Sequence, residues 1–162
     1  MGGGISKIFD ITKKDYLIKE SNNKYENNKN YNFRRDTSES DFYSGPNGQV
    51  LPAKYKQWIG VNRRNHFIKN ARNNKLKNAI NQLYRPGSFI GDGGTASVLK
   101  FEKRTGLNVG HNGNSHYQKA TEMKRYIENK VMKEQLTNKE RKLANRLVKK
   151  LRSAIVEWRY GI

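Results

Sequence analysis

The chain has 162 residues, of which 34% are hydrophobic, enough for one domain of ordinary size but not for a core running through all of it. It contains no cysteine, which excludes disulfides, thiolate zinc sites and cysteine nucleophiles. Thirty-three Lys and Arg against 14 Asp and Glu give a net charge of +19; that self-repulsion is offset by a polyanion, nucleic acid by default and otherwise an anionic membrane surface or an acidic protein.

The charge is unevenly placed. Residues 1–49 hold 8 basic and 7 acidic residues, and residues 50–162 hold 25 and 7. The start, Met1-Gly2-Gly3-Gly4-Ile5-Ser6, fits the loose myristoylation pattern; a flexible glycine leader is the commoner reading. No signal-peptide apolar region and no run long enough to span a bilayer is expected. Residues 5–20 carry enough apolar content for a short element. The tract 21-SNNKYENNKNYN-32 is too polar to offset its ordering entropy, and Ser44-Gly45-Pro46-Asn47-Gly48 is turn material. Residues 1–49 therefore read as a partly disordered linker or pre-domain segment, and residues 50–162 as the basic domain.

Helical signals dominate from Leu51-Pro52 onward. Asn65–Arg72 predicts a short helical piece. The apolar positions 76, 79, 80, 83 and 84 predict a helix that Pro86-Gly87 ends. Ala96–Arg104 follows, with Gly106 as its C-terminal stop. Ser115-His116-Tyr117-Gln118 reads as a capping box before the stripe Ala120, Met123, Ile127 and Val131. Thr137-Asn138-Lys139-Glu140 is a second, opening the clearest helix, with Leu143, Ala144, Leu147, Val148, Leu151, Ala154 and Ile155 on one face. The expected fold is mainly α, with a C-terminal amphipathic helix hairpin and a glycine-rich loop at a helix start. The alternative is α+β, with short strands at Phe89-Ile90 and Leu107–Val109.

The loop 91-GDGGT-95 lacks the lysine of a mononucleotide loop, and Ala96 stands where the dinucleotide pattern needs glycine. It either caps the following helix as a tight turn, through Asp92 or Thr95, or shapes a site for a nucleic-acid backbone at the helix N-terminus. His66, amid Arg63, Arg64 and Lys69, belongs to a basic binding face. His111 lies in a Gly/Asn loop. His116 begins a helix at the edge of an apolar stripe, with Lys119 one turn on. Glu102 is flanked by Lys100, Lys103 and Arg104, so its ionised form is favoured. A packed or solvated histidine and a surface ion pair are the plain readings of these two. The functional reading is a metal-free kit for RNA cleavage: a base for the 2′-OH proton, an acid for the leaving oxygen, and cations for the phosphorane. Clustered metal ligands are missing from the sequence, although Asp92, Glu102 and a histidine converging in space would leave room for a single divalent metal.

The stretches 85-RPGSFIGDGGTASVLKFEKRTG-106 and 109-VGHNGNSHYQKA-120, followed by two charged helices, resemble the C-terminal toxin domains of bacterial polymorphic toxins of the LXG, RHS-repeat and contact-dependent-inhibition types. The shared pattern is carried by Gly91, Asp92, Gly93, Gly94, Thr95, Glu102, Thr105, Gly106, His116, Lys119 and Ala120. The resemblance implies a secreted or delivered antibacterial nuclease acting in the target-cell cytoplasm, neutralised by a cognate immunity protein, whose acidity would suit this basic face. RNase is favoured over DNase. The expected catalytic residues are His116, Glu102, Asp92, Thr95 and Lys119, with Glu102 as base and His116 as acid or the reverse. Lys100, Arg104, Arg63, Arg64, His66 and Lys69 are expected to hold nucleic acid. No cofactor is expected. The alternatives are a non-catalytic helical nucleic-acid-binding module, a metal-dependent DNase toxin, and a lipidated membrane-surface protein.

Overall fold

The structure, a computed structural model, describes residues 42–44 and 50–161. The glycine leader with its lipidation pattern, the element expected at 5–20, the Asn/Lys tract and the turn after Ser44 lie outside the described residues. The protein is mainly helical with one small antiparallel sheet. The described residues divide into two compact units: 42–44 and 50–57 with 108–115, and 58–107 with 116–161.

In the first unit β1 (Phe42–Ser44) pairs antiparallel with β2 (Val50–Pro52), Tyr43 opposite Leu51. The sequence reading placed 42–44 in a linker. The polar tract around them hides a three-residue aromatic strand, which forms because a partner strand satisfies its backbone. The strands expected at Phe89-Ile90 and Leu107–Val109 do not form; Ile90 makes only an isolated bridge with Ile59. Residues 111–113 form a 3₁₀ turn, with Asn112 left-handed at φ 58°.

The second unit holds five α-helices: α1 (Arg64–Ile68), α2 (Asn74–Leu83), α3 (Thr95–Thr105), α4 (Tyr117–Asn129) and α5 (Asn138–Tyr160). The Asn73 side chain accepts the Leu76 N–H and so opens α2. Gly106, left-handed at φ 75°, closes α3. The box that opens α5 is complete: Thr137 Oγ1 accepts the Glu140 N–H, and Glu140 Oε1 accepts the Thr137 N–H. Glu140 Oε2 also takes the N–H groups of Arg72 and Asn73. One buried carboxylate thus ties the start of α5 to the turn between α1 and α2.

All seven apolar residues expected on α5 are buried. The five larger ones, Leu143, Leu147, Val148, Leu151 and Ile155, each gain about 1.5–3 kcal/mol over exposure, which makes α5 the spine of the core. They pack with Leu76, Ala79, Ile80 and Leu83 of α2, Leu99 of α3, and Ala120 and Ile127 of α4. Side-chain pairs fix the helix directions. Asp92, in the loop just before α3, and Arg104, in its last turn, meet Lys150 and Glu157 respectively, so α3 runs parallel to α5. Tyr117 and Glu128 of α4 meet Trp158 and Arg152, so α4 runs antiparallel to it, as the hairpin reading expected. Among the described residues no helix is long and apolar enough to cross a membrane.

Candidate active site

The Ser115 capping box does not form. α4 starts at Tyr117 and its N-cap is His116, whose own side chain makes no cap hydrogen bond. The cap comes from α3 instead. Glu102, on the buried face of α3 with Val98 and Leu99, is 1% exposed. Its Oε1 accepts the His116 backbone N–H at 2.7 Å, and its Oε2 lies 2.9 Å from His116 Nδ1. A buried carboxylate is tolerated when its oxygens receive hydrogen bonds, and here it also sits at the positive end of the α4 dipole.

This contact fixes the imidazole. An ionised carboxylate only accepts, so Nδ1 carries the proton and Nε2 of the neutral ring is left as an acceptor. The His116 side chain is 25% exposed while that of Glu102 is 0% exposed. The histidine is therefore the member of the pair that reaches solvent. Glu102 stands behind it, which does not suit the expected role of taking a proton from substrate directly.

Lys119, one turn along α4, lies in the neighbourhood of Arg85. Burial, reinforced by the Arg85 charge, pushes its ammonium down to about 8. A lysine lowered in this way gives up its proton more readily near neutral pH than a solvated one.

Asp92 and Thr95 stand elsewhere. Seven residues of helix separate Thr95 from Glu102, about 10 Å along the axis. Asp92 Oδ1 accepts the Gly94 N–H and the Ser97 hydroxyl, and Oδ2 accepts Tyr84 Oη and Lys150 Nζ. Burial works against its charge, but the Gly94, Ser97 and Lys150 donors outweigh it and hold the carboxyl below its usual range. Thr95 is buried and donates to the Leu83 carbonyl. Both residues hold the loop in place.

The glycine loop is not an open anion cradle. Its N–H groups are used internally: Gly91 donates to the Trp58 carbonyl, Gly93 to Ile90, and Gly94 to Asp92. The space over the glycines is filled by the chain itself. A Cβ on Gly94 would stand 2.7 Å from the Tyr84 ring, and one on Gly93, at φ 84°, 2.6 Å from Asn62 Nδ2. The glycines are needed because Asn62 and Tyr84 pack directly on the backbone. The tight turn forms, but neither expected cap does: Gly94 is the N-cap of α3, Asp92 Oδ1 accepts the Gly94 N–H and the Ser97 hydroxyl, and Thr95 donates to the Leu83 carbonyl.

The predicted cationic residues fall in two groups. Arg63, His66 and Lys69 are exposed on and beside α1, and the Arg63 guanidinium lies over the Phe67 ring. Burial and then the charges of Arg63, Lys69 and Arg146 push the His66 imidazole below its ordinary value. Arg64 is turned toward Asn81 and Asn65. Lys100 and Arg104 lie on α3 with Glu157 close by. Arg104 does not stand free for a phosphate: it gives two hydrogen bonds to Glu157, at 2.6 and 2.8 Å, and lies over the Trp58 ring. Sequence reasoning missed Arg146 and Lys150, an i, i+4 pair on the polar side of α5. It also missed Arg85, and the pair Tyr117 and Trp158. Only the α5 periodicity, which places 146 and 150 off its buried stripe, carried a signal for the first two.

Among the described residues no group of three or more His, Asp or Glu side chains gathers at metal-ligand range. Comparison with protein-family models, with curated proteins and with solved structures finds no match for this chain.

Proposed function

We propose that this chain is the nuclease domain of an antibacterial toxin, cleaving RNA by general acid–base chemistry. The observation that carries this reading is the hydrogen-bonded pair of buried Glu102 and partly exposed His116, in a chain of net charge +19. His116 Nε2 takes the proton of a ribose 2′-OH. The 2′-oxygen attacks the adjacent phosphorus, and the bond from phosphorus to the 5′-oxygen breaks. The products are a 2′,3′-cyclic phosphate and a 5′-hydroxyl, whose proton comes from the Lys119 ammonium. Glu102 holds the imidazole in the productive tautomer and stabilises the imidazolium that forms. Asp92 and Thr95 support the site only by fixing the loop before α3. The basic surface attracts the substrate, and an acidic immunity protein competes for it by complementary charge.

The test is incubation of the purified protein with total bacterial RNA and with plasmid DNA, each in EDTA or in magnesium, beside His116→Ala. Loss of RNA in EDTA, absent in the variant, is expected. Loss only in magnesium would replace the acid–base scheme with a metal-dependent one. Loss of DNA alone would overturn the substrate. Salt-sensitive binding without cleavage would leave a non-catalytic binding module as the better account.

A further inference from the structure

Directly beside the Glu102–His116 pair lies a cluster that the cleavage chemistry does not use. Tyr117 follows His116 as the first residue of α4. Its ring stacks on Trp158 of α5, with centroids 5.9 Å apart and planes 23° from parallel. The Tyr117 hydroxyl oxygen accepts a 2.8 Å hydrogen bond from Arg159 Nε. Lys103, next to Glu102 on α3, places its ammonium 5.9 Å from the centre of the Trp158 ring. Both rings are half-buried, while Lys103 and Arg159 are exposed. Three helices thus hold two near-parallel, half-buried aromatic rings, with one cation over the Trp158 ring and another on the Tyr117 hydroxyl.

Stacked aromatics fringed by lysine and arginine suit one ligand chemistry in particular. Unpaired bases stack on the rings whatever their sequence, and the cations follow the phosphates. A duplex keeps its bases stacked inside and offers such a platform only its backbone. Charge alone would need no aromatic pair. We infer that Tyr117 and Trp158, with Lys103 and Arg159, form a base-stacking subsite that delivers single-stranded RNA to His116. A base takes the place of the Lys103 ammonium over the Trp158 ring, and the lysine swings on its four-carbon stem to the adjoining phosphate. The inference rests on the nucleic-acid reading of this chain and narrows it to single strands.

The experiment uses the intact chain carrying Trp58→Phe, which leaves Trp158 as its one tryptophan, together with His116→Ala to prevent cleavage. The probes are a 2′-O-methyl uridine decamer, an RNA duplex of the same length and polyglutamate. Saturable quenching of Trp158 emission by the single strand is expected, with at least fivefold weaker binding of the duplex. With a labelled decamer, Trp158→Leu is expected to lose about 5- to 150-fold in affinity, the range that one stacked base contributes, and Trp158→Phe to recover part of it. Circular dichroism checks that each variant folds; where Trp158→Leu does not, Tyr117→Leu takes its place. Binding without a change in emission, equal affinity for the duplex, or the same quenching by polyglutamate would overturn the subsite. Quenching without RNA cleavage by the unmodified chain sinks the nuclease reading alone, and cleavage without quenching sinks the subsite alone.

Discussion

At the scale of single residues, the Glu102–His116 contact decides the chemistry. Gln at position 102 keeps an acceptor oxygen but loses the charge that holds Nδ1 protonated and steadies the imidazolium. Glu102→Gln is therefore expected to cut RNA cleavage by about 10²- to 10⁴-fold while leaving near-ultraviolet circular dichroism unchanged. Initial rates on a short fluorogenic RNA measure it. Lys119 makes the opposite kind of prediction. Its folded value of about 8 lies below the ordinary lysine value of 10.5, so between those limits the unfolded chain binds more protons. Stability then rises with pH across that window, and the cost of the buried charge is fully present below pH 8. Lys119→Met is expected to be more stable at pH 7 by on the order of 1 kcal/mol once solvent screening is allowed for. That advantage disappears by about pH 10.5. Urea titrations of both proteins at pH 7 and pH 10.5 test it, and a fall in cleavage alongside the gain marks a residue kept for activity.

At the scale of elements, Glu140 is the joint between α5 and the turn preceding α2. Hydrogen bonds from the Thr137 and Asn73 N–H groups, against a smaller opposing effect of burial, and then from Arg72, bring its carboxyl down to about 2. A lowered carboxylate stabilises the fold above its unfolded value and loses that effect as pH falls through the folded one. Glu140→Gln should cost about 1–2 kcal/mol at pH 7, from weakened charge-assisted bonds to three N–H groups. The difference from the unmodified protein should shrink between pH 4.5 and about 2. Paired denaturant melts at pH 7 and pH 3 read it directly; an equal difference at both would show that the carboxylate charge is not the source.

At the scale of the whole molecule, the charge of +19 governs encounter. Affinity for RNA should fall steeply with salt, with log Kd linear in log salt concentration. Arg146, exposed on α5 near His66 and Tyr84, has no hydrogen bond among the described residues that would hold it from a phosphate. Arg146→Ala should weaken binding of all sequences alike and lower the salt slope by about 1. Arg104→Ala should shift the slope less, because Glu157 already neutralises that guanidinium. Anisotropy titrations across 50–200 mM salt separate the two.

Much of this protein was legible in its sequence because helix periodicity and capping are local. The buried stripe of α5, the Thr137–Glu140 box, the Gly106 stop and the mainly helical class follow from spacing within a dozen residues. The candidate residues His116 and Glu102 also stood out, as a helix-start histidine and an acid among bases. Their pairing as acid and base was expected from the resemblance, but the form of the contact, a buried carboxylate behind the imidazole and on its backbone N–H, was not legible, since 14 positions of chain say nothing about which face of α3 meets the start of α4. The apparent Ser115 box misled for the same reason: a carboxylate from another helix took over the cap. The glycine loop looked open to an anion until Asn62 and Tyr84 were seen packed on its backbone. The paired rings of Tyr117 and Trp158, 41 residues apart, exist only because α4 runs antiparallel to α5. Local rules set where each helix begins, ends and turns its apolar face; long-range packing decides which polar groups meet, and so where chemistry has a place.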